Sequence, residues 1–154
     1  MRHYLGFALT LLIAACATER PPPPPDRVQT SLPVAQARER VAALLEQQGW
    51  TVAPDSGQAL RGRTNNTGLA ACRDIQVRDN EGSTGRRRFA EAQSVAGEVS
   101  VQFTPEANGA VVQWQTSFEG TYRNTFKNLT FQAGCASSGE TERMLDRDLR
   151  ASSS

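Results

Sequence analysis

Two glutamates, Glu98 and Glu119, are the carboxylates whose predicted placement could support acid–base chemistry. Each borders an alternating polar and apolar stretch, and Asn108-Gly109 between these stretches is the preferred dipeptide of a two-residue type I′ turn. A hairpin with its turn there places Glu98 opposite Glu119. Two close carboxylates, one of them protonated, can cleave a glycosidic bond. The alternatives are exposed residues at frayed strand ends, or neutralisation by Arg123.

Arginines in another predicted hairpin form a candidate anion-binding cluster: Arg78, Arg86, Arg87 and Arg88. The guanidinium fork matches phosphate and carboxylate groups. Lipopolysaccharide phosphates, anionic headgroups and peptidoglycan carboxylates are therefore candidate ligands. The alternative is a solvated hairpin tip whose charges discourage aggregation through the sheet edge.

Five aromatic residues could line a groove for a peptide or a lipid: Trp50, Phe103, Trp114, Phe118 and Tyr122. Most of them fall on the inferred buried face of the predicted strands. Packing in the hydrophobic core is therefore the default interpretation of this set.

The stretch Leu11-Leu12-Ile13-Ala14-Ala15-Cys16 ends an apolar run in two small residues and a cysteine. It resembles the lipobox of bacterial lipoproteins, in which signal peptidase II cuts before the cysteine. The resemblance implies a signal peptide over residues 1–15 and acylation of Cys16. The apolar run is too short for a spanning helix, which needs about 20 residues. An ordinary secretory signal is the alternative, because Ala15-Cys16-Ala17 also fits the small-x-small cleavage pattern.

Ala17 follows the cysteine that the resemblance marks for acylation. In lipoproteins an aspartate at this place favours retention in the inner membrane. Its absence implies an outer-membrane lipoprotein that is lipid-anchored and faces the periplasm.

Residues 16–31 are interpreted as a tether, because five consecutive prolines occupy 21–25. They favour the extended polyproline helix, about 3.1 Å per residue, which acts as a stiff spacer. The alternative is a proline-rich ligand for a recognition domain. Residues 32–151 then form a single α+β domain.

Charge and histidine content limit the function classes. Removal of residues 1–15 would leave 139 of the 154 residues, with 16 basic and 16 acidic side chains. This balance argues against a nucleic-acid-binding protein. The single histidine, His3, lies in the leader, so the mature chain has no imidazole for Ser-His-Asp catalysis or for a metal site. We predict no cofactor and no metal.

Besides Cys16, the chain has two cysteines, Cys72 and Cys135. An even pair in an exported protein predicts a disulfide. A reactive thiol pair is the alternative, although no C-x-x-C motif supports it. Cys135 is assigned to a loop before the last helix, so a bridge to Cys72 would pin that helix to the sheet.

Helical spacing of apolar residues predicts two helices. The first runs from about Leu32 to Gln48, with Ser31 as its cap and Gly49 ending it in a left-handed turn. The second follows Ser137, which has capping-box spacing with Glu140. In the second helix Asp146 and Arg150 form a favourable i,i+4 pair.

Alternating residues predict strands between these helices. One hairpin pairs 71–78 with 86–93 and places Ile75 opposite Phe89, and Arg73 opposite Glu91. The hairpin around Asn108-Gly109 places Phe103 opposite Trp114.

The predicted fold class is α+β: an N-terminal helix, an antiparallel sheet of about five or six strands, and a C-terminal helix packed on the sheet. This order resembles the helix-grip modules of outer-membrane assembly lipoproteins, in element order and lipidation only. Because the sequence contains no convincing active site, we predict a non-enzymatic outer-membrane lipoprotein that serves as a binding or scaffolding module of the envelope, with a protein, lipopolysaccharide or peptidoglycan partner. A periplasmic glycan- or lipid-acting enzyme that uses carboxylates and a carrier of apolar ligands are the alternatives.

Overall fold

The computed structural model describes residues 26–77, 88–124 and 128–152. Eight strands and two α-helices occupy this part of the chain, with one turn of 3₁₀ helix at Thr67–Leu69. In chain order they are β1 Arg27–Thr30, α1 Val34–Gln47, β2 Thr51–Ser56, β3 Ala59–Thr64, β4 Ala70–Ala71, β5 Ile75–Val77, β6 Arg88–Glu106, β7 Gly109–Asn124, β8 Leu129–Ser137 and α2 Glu140–Ala151.

The long hairpin of β6 and β7 is the centre of an antiparallel sheet. The strand order is β2-β3-β6-β7-β8-β4, while β1 also pairs with β7 and β5 also pairs with β6. Two short partners share one edge of β7: β1 pairs with residues 110–113 and β8 with residues 118–124. The hairpin thus pairs directly with four other strands: β1, β3, β5 and β8.

Both helices pack on one face of the sheet, which we call the inner face. Its residues on β6 and β7 are buried, among them Val99, Val101 and Trp114. The helices contribute Val41, Leu45, Leu145 and Leu149 to the same apolar cluster. The residues between the inner ones, such as Ser100 and Gln102, are exposed on the opposite face, which we call the outer face.

Helix α1 ends as predicted, in a left-handed turn at Gly49, where φ is +84°. The Gly49 amide donates to the Glu46 carbonyl and the Trp50 amide to the Leu45 carbonyl, which is the Schellman pattern. The predicted cap is wrong: the helix begins after Pro33 without a side-chain cap. The Ser31 hydroxyl instead donates to the Ser152 carbonyl at 3.0 Å.

Helix α2 follows Gly139, which is left-handed with φ +77°. The predicted capping box is wrong, because Ser137 is the last residue of β8 and its hydroxyl accepts from the Gly139 amide. The predicted i,i+4 pair is confirmed, with Arg150 Nε 2.8 Å from Asp146 Oδ1.

The register of β6 and β7 differs by two residues from the prediction. Phe103 lies opposite Val112, and the turn residues are 107 and 108. Gly109 is required for another reason: a Cβ there would lie 2.0 Å from the Thr30 carbonyl oxygen of β1. Because side chains alternate with a period of two, a shift of two keeps every residue on its predicted face.

The register of β5 and β6 differs by one residue from the prediction. Ile75 lies opposite Ala90, and Glu91 pairs with Arg123 on β7 rather than with Arg73. The prediction started from Arg78 opposite Arg86, which lie outside the described residues. A loop whose length is misjudged by one residue shifts the whole pairing.

The α+β class, the antiparallel sheet and the two helices agree with the prediction, but its order does not. A strand, β1, precedes α1 and lies inside the range assigned to the tether. Its four residues alternate, with Val28 and Thr30 buried, which is too short a pattern to separate from a linker. Neither of the described helices is long and apolar enough to cross a membrane.

Candidate functional site

The predicted disulfide is present, with the Cys72 and Cys135 sulfurs 2.02 Å apart. Cys135 lies within β8 rather than in a loop, and Cys72 lies between β4 and β5. The Tyr122 hydroxyl donates to the Arg73 carbonyl at 3.2 Å and lies 3.5 Å from Cys135 Sγ. The bridge therefore pins the β4–β5 connection over Tyr122, and does not pin α2.

The lipidation residue and most of the arginine cluster cannot be placed. Cys16, Arg78, Arg86 and Arg87 lie outside the described residues. Arg88 is the first residue of β6, where its backbone pairs with Val77. Acylation and anion binding at these positions stay predictions.

The predicted pair of opposed carboxylates is wrong. Glu98 lies opposite Ser117, and Glu119 lies opposite Ala96. The two-residue shift of the hairpin thus places the carboxylates on a diagonal of the outer face. Glu98 Oε1 instead accepts from Arg63 Nε on β3 at 3.0 Å, so the neighbouring strand supplies its counter-charge.

The five aromatic residues belong to the interior, as the packing interpretation predicts. Each is at most 5% exposed: Trp50, Phe103, Trp114, Phe118 and Tyr122. Trp50 and Phe118 contact each other with ring centroids 5.9 Å apart. The Trp50 indole donates to Thr141 Oγ1 on α2 at 3.3 Å. Four of the rings belong to the apolar cluster that the helices share with the sheet, whereas Tyr122 stacks on Phe131 of β8.

The outer face has a polar depression of about 290 Å³ at the middle of the sheet. Its lining residues come from β3, β6 and β7: Arg61, Glu98, Val99, Ser100, Gln115 and Ser117. Arg61 and Ser100 are register partners, as are Ser100 and Gln115. The depression thus presents a guanidinium, a carboxylate, an amide and hydroxyl groups within one patch, and can both donate and accept hydrogen bonds.

A groove of about 500 Å³ lies between α1 and the edge strand β2. We call it the α1–β2 groove. Its walls are mainly apolar, with charged groups only on the helix: Ala35, Arg38, Glu39, Ala42, Glu46, Val52, Pro54 and Leu60. The sequence patterns did not indicate this groove. Pro54 inside a strand was the available signal, because proline in the interior of a regular strand indicates an edge strand of the sheet.

A more polar cleft of about 510 Å³ separates the C-terminal end of α1 from α2. Next to it the Arg40 guanidinium binds Asp148 through two hydrogen bonds, of 2.7 and 2.8 Å. The hydrogen bonds from Arg40 hold the pKa of Asp148 below its ordinary value, although partial burial acts in the opposite direction. This pair joins the two helices.

Within residues 26–77, 88–124 and 128–152 no three histidine, cysteine, aspartate or glutamate residues are grouped as a metal site would need. Comparison of the chain with protein-family models, with curated proteins and with solved structures finds no match.

Proposed function

We propose that this chain is a non-enzymatic, lipid-anchored module of the outer membrane that binds a folded envelope protein through its outer face. The observation that carries the proposal is the one-sided construction of the domain. Both helices and the apolar cluster lie on the inner face, which leaves the outer face of the long β6–β7 hairpin exposed and polar.

The chemistry of the outer face fits a polar protein surface. Arg61, Glu98 and Gln115 all line the depression, and Arg61 and Gln115 flank Ser100 on the two neighbouring strands. A partner side chain that both donates and accepts, such as an amide, would find a group for each of its atoms. Non-obligate interfaces are of this mixed, hydrated kind.

The anchoring part of the proposal rests on the lipobox residues 11–16 and on the proline-rich segment that follows them. The described part of the chain begins at Asp26, and its first strand begins at Arg27. The stretch from Cys16 to Asp26 would then be the spacer between the membrane and the domain.

Anchoring is tested by intact mass spectrometry of the protein from membranes, beside a Cys16→Ser variant. The expected product is an acylated chain that starts at Cys16, lost from membranes in the variant. An unmodified chain that starts near Thr18 would refute the anchor and leave a free periplasmic protein.

The docking surface is tested by a photo-crosslinking residue at position 117, on the outer face, with position 150 on the exposed side of α2 as the matched control. A discrete protein adduct from position 117 alone is expected. Adducts at both positions, or at neither, would refute the outer face as the docking surface. Adducts to lipopolysaccharide or peptidoglycan alone would refute a protein partner.

A further inference from the structure

Strand β2 is the outermost strand on its side of the sheet, and its backbone orientation follows from the register. The Phe103 amide donates to the Gln58 carbonyl, so even-numbered residues of β3 direct their backbone groups toward β6. Odd-numbered residues of β3 then bond β2, and Thr51 and Ala53 are their partners. Val52 and Pro54 therefore direct their backbone groups away from the sheet.

Proline is compatible with the outward backbone orientation at position 54. It has no N–H, and at this position the missing donor removes no bond to β3. Among the described residues no strand pairs with the outer edge of β2. The open edge thus offers one donor, the Val52 N–H, and two acceptors, the carbonyl groups of Val52 and Pro54.

The α1–β2 groove runs alongside this edge. Helix α1 and β2 are antiparallel, because the helix leads into β2 through the Gly49 turn and Arg38 Nη1 donates to the Gly57 carbonyl beyond the far end of β2. The lining positions on α1 span residues 35 to 46. At about 1.5 Å per residue this is roughly 16 Å, the length of about five residues of extended strand.

We propose that the β2 edge accepts an extended segment of a partner polypeptide as an additional antiparallel strand, seated in the α1–β2 groove. Strand addition combines backbone hydrogen bonds for affinity with side-chain pockets for selection. Val52 and one partner residue would exchange both of their backbone hydrogen bonds, and the Pro54 carbonyl would accept a third.

The walls of the groove define the segment. Ala35, Ala42, Val52 and Leu60 favour small apolar residues at alternate positions of the partner strand. The charged lining groups are Glu39, Glu46 and Arg38, and Arg38 is engaged with Gly57. The surplus of carboxylate favours a basic residue next to the apolar ones. Because Pro54 supplies no donor, the edge is poorly suited to pairing with a second copy of itself.

The test uses the full-length protein in detergent and an immobilised array of heptapeptides in which Val or Ala alternates with Thr, Lys or Glu. We expect the lysine-containing apolar peptides to bind, and the glutamate-containing set to bind at least about tenfold more weakly. In amide exchange, the Val52 N–H should become protected when such a peptide is bound. No binding by any peptide, or binding without protection of Val52, would overturn the proposal.

Val52→Pro is the matched variant, because it removes the outward donor and no bond to β3. Val52→Thr retains the donor and serves as the control. Peptide affinity should fall about tenfold or more in Val52→Pro and stay near that of the parent in Val52→Thr. Ala35→Arg, a change at an exposed residue of α1 that lines the groove, should also abolish binding if Val52→Pro does not fold.

The outer face and the α1–β2 groove are separate, so the two proposals can fail independently. Adducts at position 117 that persist in Val52→Pro, together with lost peptide binding, would support both sites. Peptide binding that is equal in Val52→Pro and the parent would refute strand addition and leave the outer-face proposal unaffected. Concentration-dependent dimers abolished by Val52→Pro would replace the partner strand by a second copy.

Discussion

Arg40 on α1 and Asp148 on α2 form a two-point ion pair that joins the helices, with N–O distances of 2.7 and 2.8 Å. An exposed residue of α1 therefore also makes a tertiary contact. Only 23% of the Asp148 side chain is exposed, so this pair is less screened than a fully solvated one.

Arg40→Gln should destabilise the domain in a pH-dependent way. The pKa of Asp148 is lowered in the folded protein, mainly by its hydrogen bonds to Arg40. Its contribution to stability is therefore present above the ordinary carboxyl pKa of about 3.9, and is lost as the pH falls through the lowered folded value. Urea unfolding from neutral to acidic pH should show a difference in unfolding free energy between the parent and Arg40→Gln. This difference should disappear below about pH 4.

Arg150→Gln is the control for that series, because it removes an ion pair inside α2 rather than one between helices. At neutral pH, Arg150→Gln should lower the unfolding free energy less than Arg40→Gln does. If the difference in unfolding free energy between Arg40→Gln and the parent stays constant across the pH range, then Arg40 stabilises the domain through packing of its alkyl chain and not through its charge.

Gly97→Ala should destabilise the domain by about 1–3 kcal/mol, as overpacking does in a filled core. A Cβ at Gly97 would lie 2.6 Å from a ring carbon of Phe118 and 2.9 Å from the Thr64 methyl group. Gly134→Ala, where nothing lies within 4 Å of the added carbon, is the matched control and should be close to neutral. Equal midpoints of thermal unfolding for the two variants would contradict this packing.

Substitutions of Thr116 and Glu142 should have strongly coupled effects on the unfolding free energy. Glu142 is 4% exposed, its Oε1 accepts from Thr116 Oγ1, and its Oε2 has no partner among the described residues. Thr116→Val leaves the buried carboxylate without its donor and should cost about 1–3 kcal/mol. The double variant with Glu142→Met removes both polar groups and should recover most of that loss.

A double-mutant cycle in denaturant measures the coupling. Additive effects of Thr116→Val and Glu142→Met would mean that the hydrogen bond contributes nothing measurable.

Removal of the disulfide by Cys72→Ser and Cys135→Ser together should lower the unfolding free energy. The bridge closes a loop with a sequence separation of 63, for which the chain-entropy model gives about 4 kcal/mol. The parent in reductant should match the double variant, which should itself be insensitive to reductant. Hydrogen exchange should increase first at β4 and β5, because two and three residues of pairing hold them otherwise.

Local interactions account for what could be predicted from the sequence. The apolar stripe of α1, its end at Gly49 and the pair of Asp146 with Arg150 involve residues at most five positions apart. The inner and outer faces of β6 and β7 follow from alternation alone, and they stay correct although the predicted turn was displaced. The disulfide was predicted from the number of cysteines and from the predicted export of the chain.

The arrangement of the candidate site residues depends on strand register and on contacts between distant segments, which local sequence patterns do not contain. Glu98 was assigned to Glu119 because a register was chosen from a turn dipeptide, whereas Gly109 is needed for the close approach of β1. The residue that actually neutralises Glu98 is Arg63, which lies 35 positions away on β3. Likewise, the β1 pattern was too short to distinguish from the tether.

The sequence by itself determined the type of the two helices and of the long strands β6 and β7, the side of those strands that is buried, and the pair of cysteines that forms the disulfide. These properties depend on periodicity and composition over a few residues. Only the tertiary structure decided the strand registers, the partner of Glu98, the position of β1 and the groove between α1 and the free edge of β2. Those features depend on which distant segments pack together, and a period of two allows several registers with the same faces buried.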